Sequence, residues 1–370
     1  MKLKLKATQQ QLDLIKTIGS KDTIESRKAQ EMLAAFISEV IQKVLLQAGT
    51  ASAIYTDSTF NEDDDPSIPL DLFYDQNSTR YVTVWSQAIA GGLPTSQIEG
   101  VAEMKISTYR LDSAVSFAKK YARKSRLDII SKAVERMAQE ILIKQERNAW
   151  AVICRALGEA TSGGNDHVIG ATTQDVFQLD DMNRLMTLIR RLNTSWASGT
   201  PANLDAYGLT DLFCSPEVKE QIRAFAYEPM NTRAGTVASS GATAVPLPDN
   251  IRTEIYKNAG TSEIYGVSIT DLNELGISQK YNTLFGTFAT ATMGATGGAF
   301  STSVDEVIFG FDLSRECFIR PLAQNADNGG TVTTHVDDQW VVRSDKAGFY
   351  TAIEEGRICI DGKGVCGLVL

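Results

Sequence analysis

The chain has 370 residues, with 36 Lys and Arg against 45 Asp and Glu, for a net charge of −9. Hydrophobic residues at 43% and charged residues at 22% are ordinary globular values, which excludes disordered and collagen-like classes. The acidic balance argues against a coat that grips nucleic acid through one large basic face. Five scattered cysteines (Cys154, Cys214, Cys317, Cys359, Cys366) form no CxxC pair. They fit free thiols in a reducing compartment better than a disulfide framework.

The start, Met1-Lys2-Leu3-Lys4-Leu5-Lys6, is basic, but the polar stretch after it is no signal-peptide core. No apolar run reaches membrane-spanning length. The first strong helix is expected over Lys28–Ala48. Leu33, Phe36, Ile37, Val40, Ile41, Val44 and Leu45 recur at three- and four-residue spacing as one apolar stripe. That stripe packs on the chain's own core or on a neighbouring subunit.

Residues 51–104 hold nine acids (Asp57, Glu62, Asp63, Asp64, Asp65, Asp71, Asp75, Glu99, Glu103) against Arg80, a local charge of −8. Strand-like Tyr81–Trp85 lies between turn signals at Asp65-Pro66, Ile68-Pro69, Gly91-Gly92 and Leu93-Pro94. The segment has too little apolar content for its own core, so a long two-stranded excursion lying on something else is expected. Residues 105–126 reverse the sign. Lys105, Arg110, Lys119, Lys120, Arg123, Lys124 and Arg126 face only Asp112, giving +6. Strand alternation begins at Met104–Tyr109.

A very long helix is expected over Arg126–Leu157, with Ser125 and Asp128 as its entry. Ile130, Val134, Met137, Ile141 and Leu142 mark its buried face, and Trp150, Val152 and Ile153 continue it. At ~1.5 Å per residue it spans about 48 Å. A third helix follows over Asp180–Leu192. Strand Leu209–Cys214 then leads through Ser215-Pro216 into a helix over Glu217–Phe225, with Ser215 as N-cap. Strands are expected over Glu263–Ile269, Asp305–Ile319, Thr331–Val342 and Phe349–Ile360. The charge-free Tyr281–Val304, loaded with Gly, Thr and Ser, reads as loop and sheet.

Motifs for chemistry are sparse. There is no phosphate loop, no GxSxG elbow and no HExxH, and only His167 and His335 occur. Gly294–Gly298 lacks the spacing of a dinucleotide loop. The run Glu62–Asp65 is a solvated loop tip, a partner-contacting tip or a calcium ligand set. The cluster Lys119, Lys120, Arg123 and Lys124 is a solvated face, a surface for another protein segment or a phosphate contact. No catalytic residue and no cofactor is expected.

The order of elements resembles the major capsid proteins of tailed bacteriophages, an α+β architecture known as the Hong Kong 97 fold. The resemblance covers nearly the whole chain. Its most family-like residues are Trp340-Val341-Val342-Arg343-Ser344-Asp345-Lys346-Ala347-Gly348-Phe349-Tyr350, then Gly356-Arg357-Ile358-Cys359-Ile360 and Leu212–Glu217. It implies an N-terminal arm (1–50), an extended β-hairpin loop (51–108) and a peripheral domain with a long spine helix (109–200). An axial domain (201–320) and returning peripheral strands (321–370) complete it.

The resemblance further implies a self-assembling shell of hexamers and pentamers around double-stranded DNA, assembled in a host cytoplasm, with portal, scaffold or cement proteins as further partners. An encapsulin-like compartment and a soluble α/β enzyme are the alternatives. Some family members cross-link through a Lys in the extended loop, but residues 51–104 contain none. Some carry a removable scaffolding segment of about a hundred residues, whereas only some fifty precede the loop here. The charge pattern adds an expectation about contact residues. Glu62, Asp63, Asp64, Asp65 and Trp85 of one subunit meet the basic shoulder of the next (Lys119, Lys120, Arg123, Lys124 and Arg126) or its spine helix.

Overall fold

A computed structural model describes residues 9–47, 49–61, 64–69, 103–124, 127–160, 167–192, 208–225, 249–250, 253, 263–290, 292–325, 330–337 and 345–370. In chain order the first elements are α1 (Gln9–Ile18), α2 (Thr23–Gln47), β1 (Thr56–Asn61), β2 (Ser67–Pro69), β3 (Glu103–Lys105) and β4 (Thr108–Ala118). Next come α3 (Lys119–Arg123), α4 (Leu127–Ala160), β5 (Val168–Gly170), α5 (Leu179–Leu192), β6 (Asp211–Cys214) and α6 (Pro216–Ala224). Then follow β7 (Glu263–Ile264), β8 (Val267–Asp271), α7 (Lys280–Phe288), β9 (Val307–Phe311), β10 (Phe318–Gln324) and β11 (Val332–Asp337). The chain closes with β12 (Lys346–Gly356), β13 (Ile358–Cys359) and β14 (Val365–Val369). The chain forms two compact units, Met1–Ala149 with Ile319–Ile358, and Trp150–Phe318 with Cys359–Leu370.

The first unit is a helix-on-sheet layer. Its sheet runs β1-β10-β12-β11, and β4 pairs with β12 along its full length, from Thr108↔Gly356 to Ala118↔Lys346. Alternation along β4 turns Leu111, Val115 and Phe117 toward the core and leaves Asp112, Ala114 and Ser116 exposed. Onto that face pack Ile15 and Ile18 of α1, Leu33, Ile37 and Ile41 of α2, and Val134, Met137 and Ile141 of α4. Asp22 starts α2: its carboxylate accepts from Ile24 N at 3.0 Å. The helix therefore begins five residues before the expected Lys28. Phe36, expected on the buried stripe, is exposed. It sits beyond the edge of the arc that Leu33, Ile37 and Ile41 share.

The second unit is built on a sheet ordered β5-β14-β9-β6-β8-β7. Its strands β9 and β14 are buried at every position, as befits strands covered on both faces. Phe177, Leu185 and Ile189 pack with Leu212, Ile222, Ile308 and Leu368 in its core. Trp150 is fully buried, stacked on Tyr281 at 5.1 Å and edge-on to Phe309 at 5.5 Å. Ser215 caps α6 as the sequence suggests, accepting from Val218 N at 3.1 Å.

Five elements correct the sequence reading. Within Tyr281–Val304, read as loop and sheet, α7 is a helix that buries Tyr281, Asn282 and Phe285. The Asn282 amide explains it: Nδ2 donates to Asp305 O at 2.8 Å, and Oδ1 accepts from Val307 N at 3.1 Å, tying the helix to β9. Helices α1 and α3 and strands β5 and β14 had no expected counterpart.

Candidate functional site

The acidic excursion leaves the first unit from a well-anchored root. Strand β1 runs parallel to β10, where Arg320 is buried and donates from Nε and a terminal nitrogen to both Asp57 oxygens at 2.6 Å. Such a bidentate, charge-assisted pair fixes geometry as well as energy. Upstream, Thr50 Oγ1 donates to Glu146 of α4 at 2.6 Å, and Tyr55 OH donates to the Ala149 carbonyl at 3.0 Å. The start of the entering strand is thus tied down.

Beyond β1 the two legs of the excursion pair antiparallel. Ser67 faces Lys105, Ile68 faces Met104 and Pro69 faces Glu103. Ile106 N donates to Pro66 O at 2.9 Å and extends the ladder at its base. Asp65 and Lys105 form an ion pair at 3.7 Å, with side chains 83% and 74% exposed. At that exposure the pair contributes about 0–1 kcal/mol. Asp64 lies in a turn, its N–H donating to Asn61 O at 2.9 Å. Of the loop residues expected to make subunit contacts, Asp64 and Asp65 are therefore at the root. Glu62, Asp63 and Trp85 lie outside the described residues.

The basic shoulder is split by the fold. Lys119 is buried, with Nζ 3.4 Å from Ser26 Oγ and its backbone N–H donating to Asp345 O at 2.9 Å. Arg123 donates from Nε to Gly19 O at 2.8 Å and from a terminal nitrogen to Asp345 at 3.0 Å. These two hold α3 against the α1–α2 turn and the start of β12. The turn is tight: a side chain at Gly19 would meet the Arg123 backbone nitrogen at 2.8 Å. Lys120 and Lys124 are exposed, Lys120 lying over the Tyr121 ring at 5.1 Å. Arg126 lies outside the described residues. The expectation of one exposed basic face is corrected accordingly. Lys119 sits on the inward side of α3, so its charge is internal, and Arg123 is engaged within its own chain.

A buried polar knot beside this root was invisible in the sequence. Glu355 accepts from Tyr109 OH at 2.7 Å, from Gln145 Nε2 at 2.9 Å and from Arg357 Nε at 3.2 Å. The Arg357 guanidinium lies over the Tyr55 ring at 4.8 Å. Burial, reinforced by the Glu355 charge, pushes the Tyr109 hydroxyl up to about 12. The partners stand up to 302 residues apart in sequence, and no local signal joins them.

His167 is buried, with Nδ1 3.0 Å from the Val365 carbonyl, and His335 is the exposed residue of strand β11. All five cysteines are free, and burial pushes the Cys214, Cys359 and Cys366 thiols up to about 12. Such thiols stay protonated and unreactive. Gly294–Gly298 is a turn closed by Gly294 N donating to Gly298 O at 2.7 Å. Among the described residues no group of three His, Cys, Asp or Glu could hold a metal ion, and no helix is long and apolar enough to cross a membrane.

No protein-family model matches the chain, and no curated protein sequence matches it. Among solved structures it is similar to a chain of Microbacterium phage Oxtober96, at 12% identity and TM-score 0.48, over 87% of this chain and 90% of that one. It is also similar to the cyanophage Pam1 capsid asymmetric unit, at 10% identity and TM-score 0.49, over 86% and 88%. Likeness to the holo-SrpI encapsulin complex of Synechococcus elongatus is 11% identity and TM-score 0.37, over 72% and 74%.

Proposed function

We propose that this chain is a structural shell subunit, the major capsid protein of a tailed phage, and not an enzyme. The observation that carries this reading is the excursion rooted at β2 and β3. Its entering leg is pinned to the first unit by the Arg320–Asp57 pair and by Glu146. The segment they carry is acidic and too poor in apolar residues to fold on itself. A segment so held and so composed is suited to lie on another molecule, and repeated copies offer the surface. In this reading residues 1–50 are the arm, 51–108 the extended loop, 109–200 and 321–370 the peripheral part and 201–320 the axial part. The helix α4 serves as the peripheral spine.

The shell is built from hexamers and pentamers, assembled in the host cytoplasm, with the genome enclosed by weak, non-specific contact. Portal, scaffold or cement proteins complete the particle. Exposed Lys120 and Lys124, with Arg126, receive the acidic loop of the next subunit, from Glu62 and Asp63 to Trp85. Individually weak pairs then set register more than strength. Negative-stain electron microscopy of the expressed protein tests the reading. Closed icosahedral shells are expected, and a monodisperse small species at high concentration would refute it. Shells purified with a cargo enzyme instead of DNA would favour the encapsulin alternative.

A further inference from the structure

The second unit carries an acidic patch set among exposed apolar side chains. Gln221 of α6 donates from Nε2 to Asp175 O at 3.0 Å and accepts from Phe177 N at 2.6 Å, which holds the 175–177 turn against the helix. At the start of the same helix, a side chain at Gly276 would meet Glu217 Oε2 at 3.4 Å, and Ser278 N donates to Thr302 O at 2.9 Å. Three segments thus meet near the first turn of α6. Each exposes a large apolar side chain, Val176 at 41%, Ile277 at 47% and Val304 at 44%. Asp175 and Glu217 are exposed among them. Glu306 lies behind, 6% exposed, and its Oε1 has no hydrogen-bond partner among the described residues. Burial raises its pKa and the charges of Glu217 and Asp175 add to the rise, so its carboxyl looks out into this cluster. Grouped apolar side chains rimmed by charge mark a contact surface more than singly scattered ones do.

The cations beside the patch are already engaged: Lys219 of α6 is paired with Asp271, and Lys280 with Glu274 at 3.0 Å. The positive end of α6 offsets only about half an elementary charge of the three carboxyl groups. No three such groups among the described residues close on a metal ion. The cation they suit is therefore one borne on a long side chain with apolar neighbours. The chain itself holds such a segment. Met1-Lys2-Leu3-Lys4-Leu5-Lys6 alternates lysine with apolar residues, and no other stretch of the sequence alternates lysine with leucine. Extended, it sets leucines along one side and lysines along the other. The acidic excursion of a neighbour, with nine acids against one base, would be repelled by the same patch. We propose that residues 1–6 of a second copy dock here. Leu3 and Leu5 cover Val176, Ile277 and Val304, and a lysine ammonium enters between Asp175, Glu217 and Glu306. An ammonium brings three donors, one of which answers Glu306 Oε1. The second copy is a neighbour in the shell, so for its partner the inference rests on the shell reading.

Carbodiimide cross-linking of the full chain, which joins amines to carboxyl groups in contact, tests it. Unlabelled and nitrogen-15-labelled protein are mixed before assembly, cross-linked and read by mass spectrometry. Peptides joining Lys2, Lys4 or Lys6 to Asp175 or Glu217 are expected, with light–heavy pairs as abundant as light–light and heavy–heavy pairs together. Pairs of one isotope only would mean that the segment folds back on its own chain. No such peptides would mean that the patch receives something else. Either result overturns the proposal. Charge exchange is a second measurement. Lys2→Glu/Lys4→Glu/Lys6→Glu and Asp175→Asn/Glu217→Lys should each weaken self-association about tenfold in sedimentation, and the combined variant should return to within about threefold of the native chain. Asn suits the left-handed backbone of Asp175, whose φ is 60°, and circular dichroism should be unchanged in every variant. Two weakened parents with no recovery in the combination would also overturn the pairing. Closed shells without the cross-links would sink this contact and leave the shell reading standing. Light–heavy cross-links in a protein that never forms shells would do the reverse.

Discussion

Lys119 and its neighbours Lys120 and Lys124 look alike in the sequence and differ in the fold. Lys119 is buried against Ser26, while the other two face solvent. Lys119→Glu should cost about 3 kcal/mol, because a carboxylate would be buried where the ammonium now lies beside Ser26. Lys120→Glu/Lys124→Glu should stay within about 0.5 kcal/mol of the native chain in urea unfolding. Equal losses from the two variants would refute this division. Glu306 is the second residue whose environment decides its behaviour. It is buried, Oε1 has no hydrogen-bond partner among the described residues, and its pKa is raised above 4.5. Burial is the main cause, with the charges of Glu217 and Asp175 adding to it and the Ser215 hydrogen bond opposing it. A carboxyl raised on folding binds its proton more tightly in the native state, so stability falls as pH rises through the folded pKa. Glu306→Gln should abolish that fall over the pH range just above 4.5. An unchanged pH slope in the variant would assign the effect to another group.

At the scale of elements, periodicity carried the sequence reading where one face is buried over many turns. The expected Asp180–Leu192 is α5 (Leu179–Leu192) to within a residue, and the expected Arg126–Leu157 is α4 (Leu127–Ala160), which runs on through Gly158 for three more residues. It failed where composition hides the period. The threonines and glycine of α7 mask the spacing of Tyr281 and Phe285, and the polar α1 inserts only Leu14, Ile15 and Ile18. The excursion was legible as a composition shift and turn signals, and its root is paired where the two legs close on each other. The anchors at that root were not legible. Arg320 and Asp57 are separated by 263 residues, and only the parallel β1–β10 ladder brings them together. Because the root closes on itself, it should survive loss of what it carries. Replacing residues 70–102 by an Asn-Gly turn, which suits a two-residue antiparallel hairpin, should leave the thermal midpoint within about 2 °C. The same variant should form no shells by electron microscopy. A collapse in stability would show that the excursion is part of its own subunit's fold.

Across the whole molecule the net charge of −9 conceals a dipolar arrangement along the chain, −8 in residues 51–104 followed by +6 in 105–126. Folding spends part of the positive block internally. Lys119 is buried, Arg123 bonds Asp345, and Arg110 pairs with Asp112 at 2.9 Å. What remains for a partner is smaller than the sequence sum suggests, chiefly Lys120 and Lys124 among the described residues. Charges this exposed act over a Debye length of about 10 Å at 0.1 M salt and about 3 Å at 1 M. They therefore govern how often subunits meet in the right register more than how firmly they hold. The shell reading consequently predicts that light-scattering assembly rates fall roughly tenfold between low salt and several tenths molar NaCl. A shell closed by apolar contacts alone would assemble faster under the same change, since salting-out strengthens burial. Lys120→Glu/Lys124→Glu should assemble slowly at low salt and lose most of that salt dependence. If the native chain assembled at a rate flat or rising with salt, the acidic excursion would have to dock on something other than the basic shoulder.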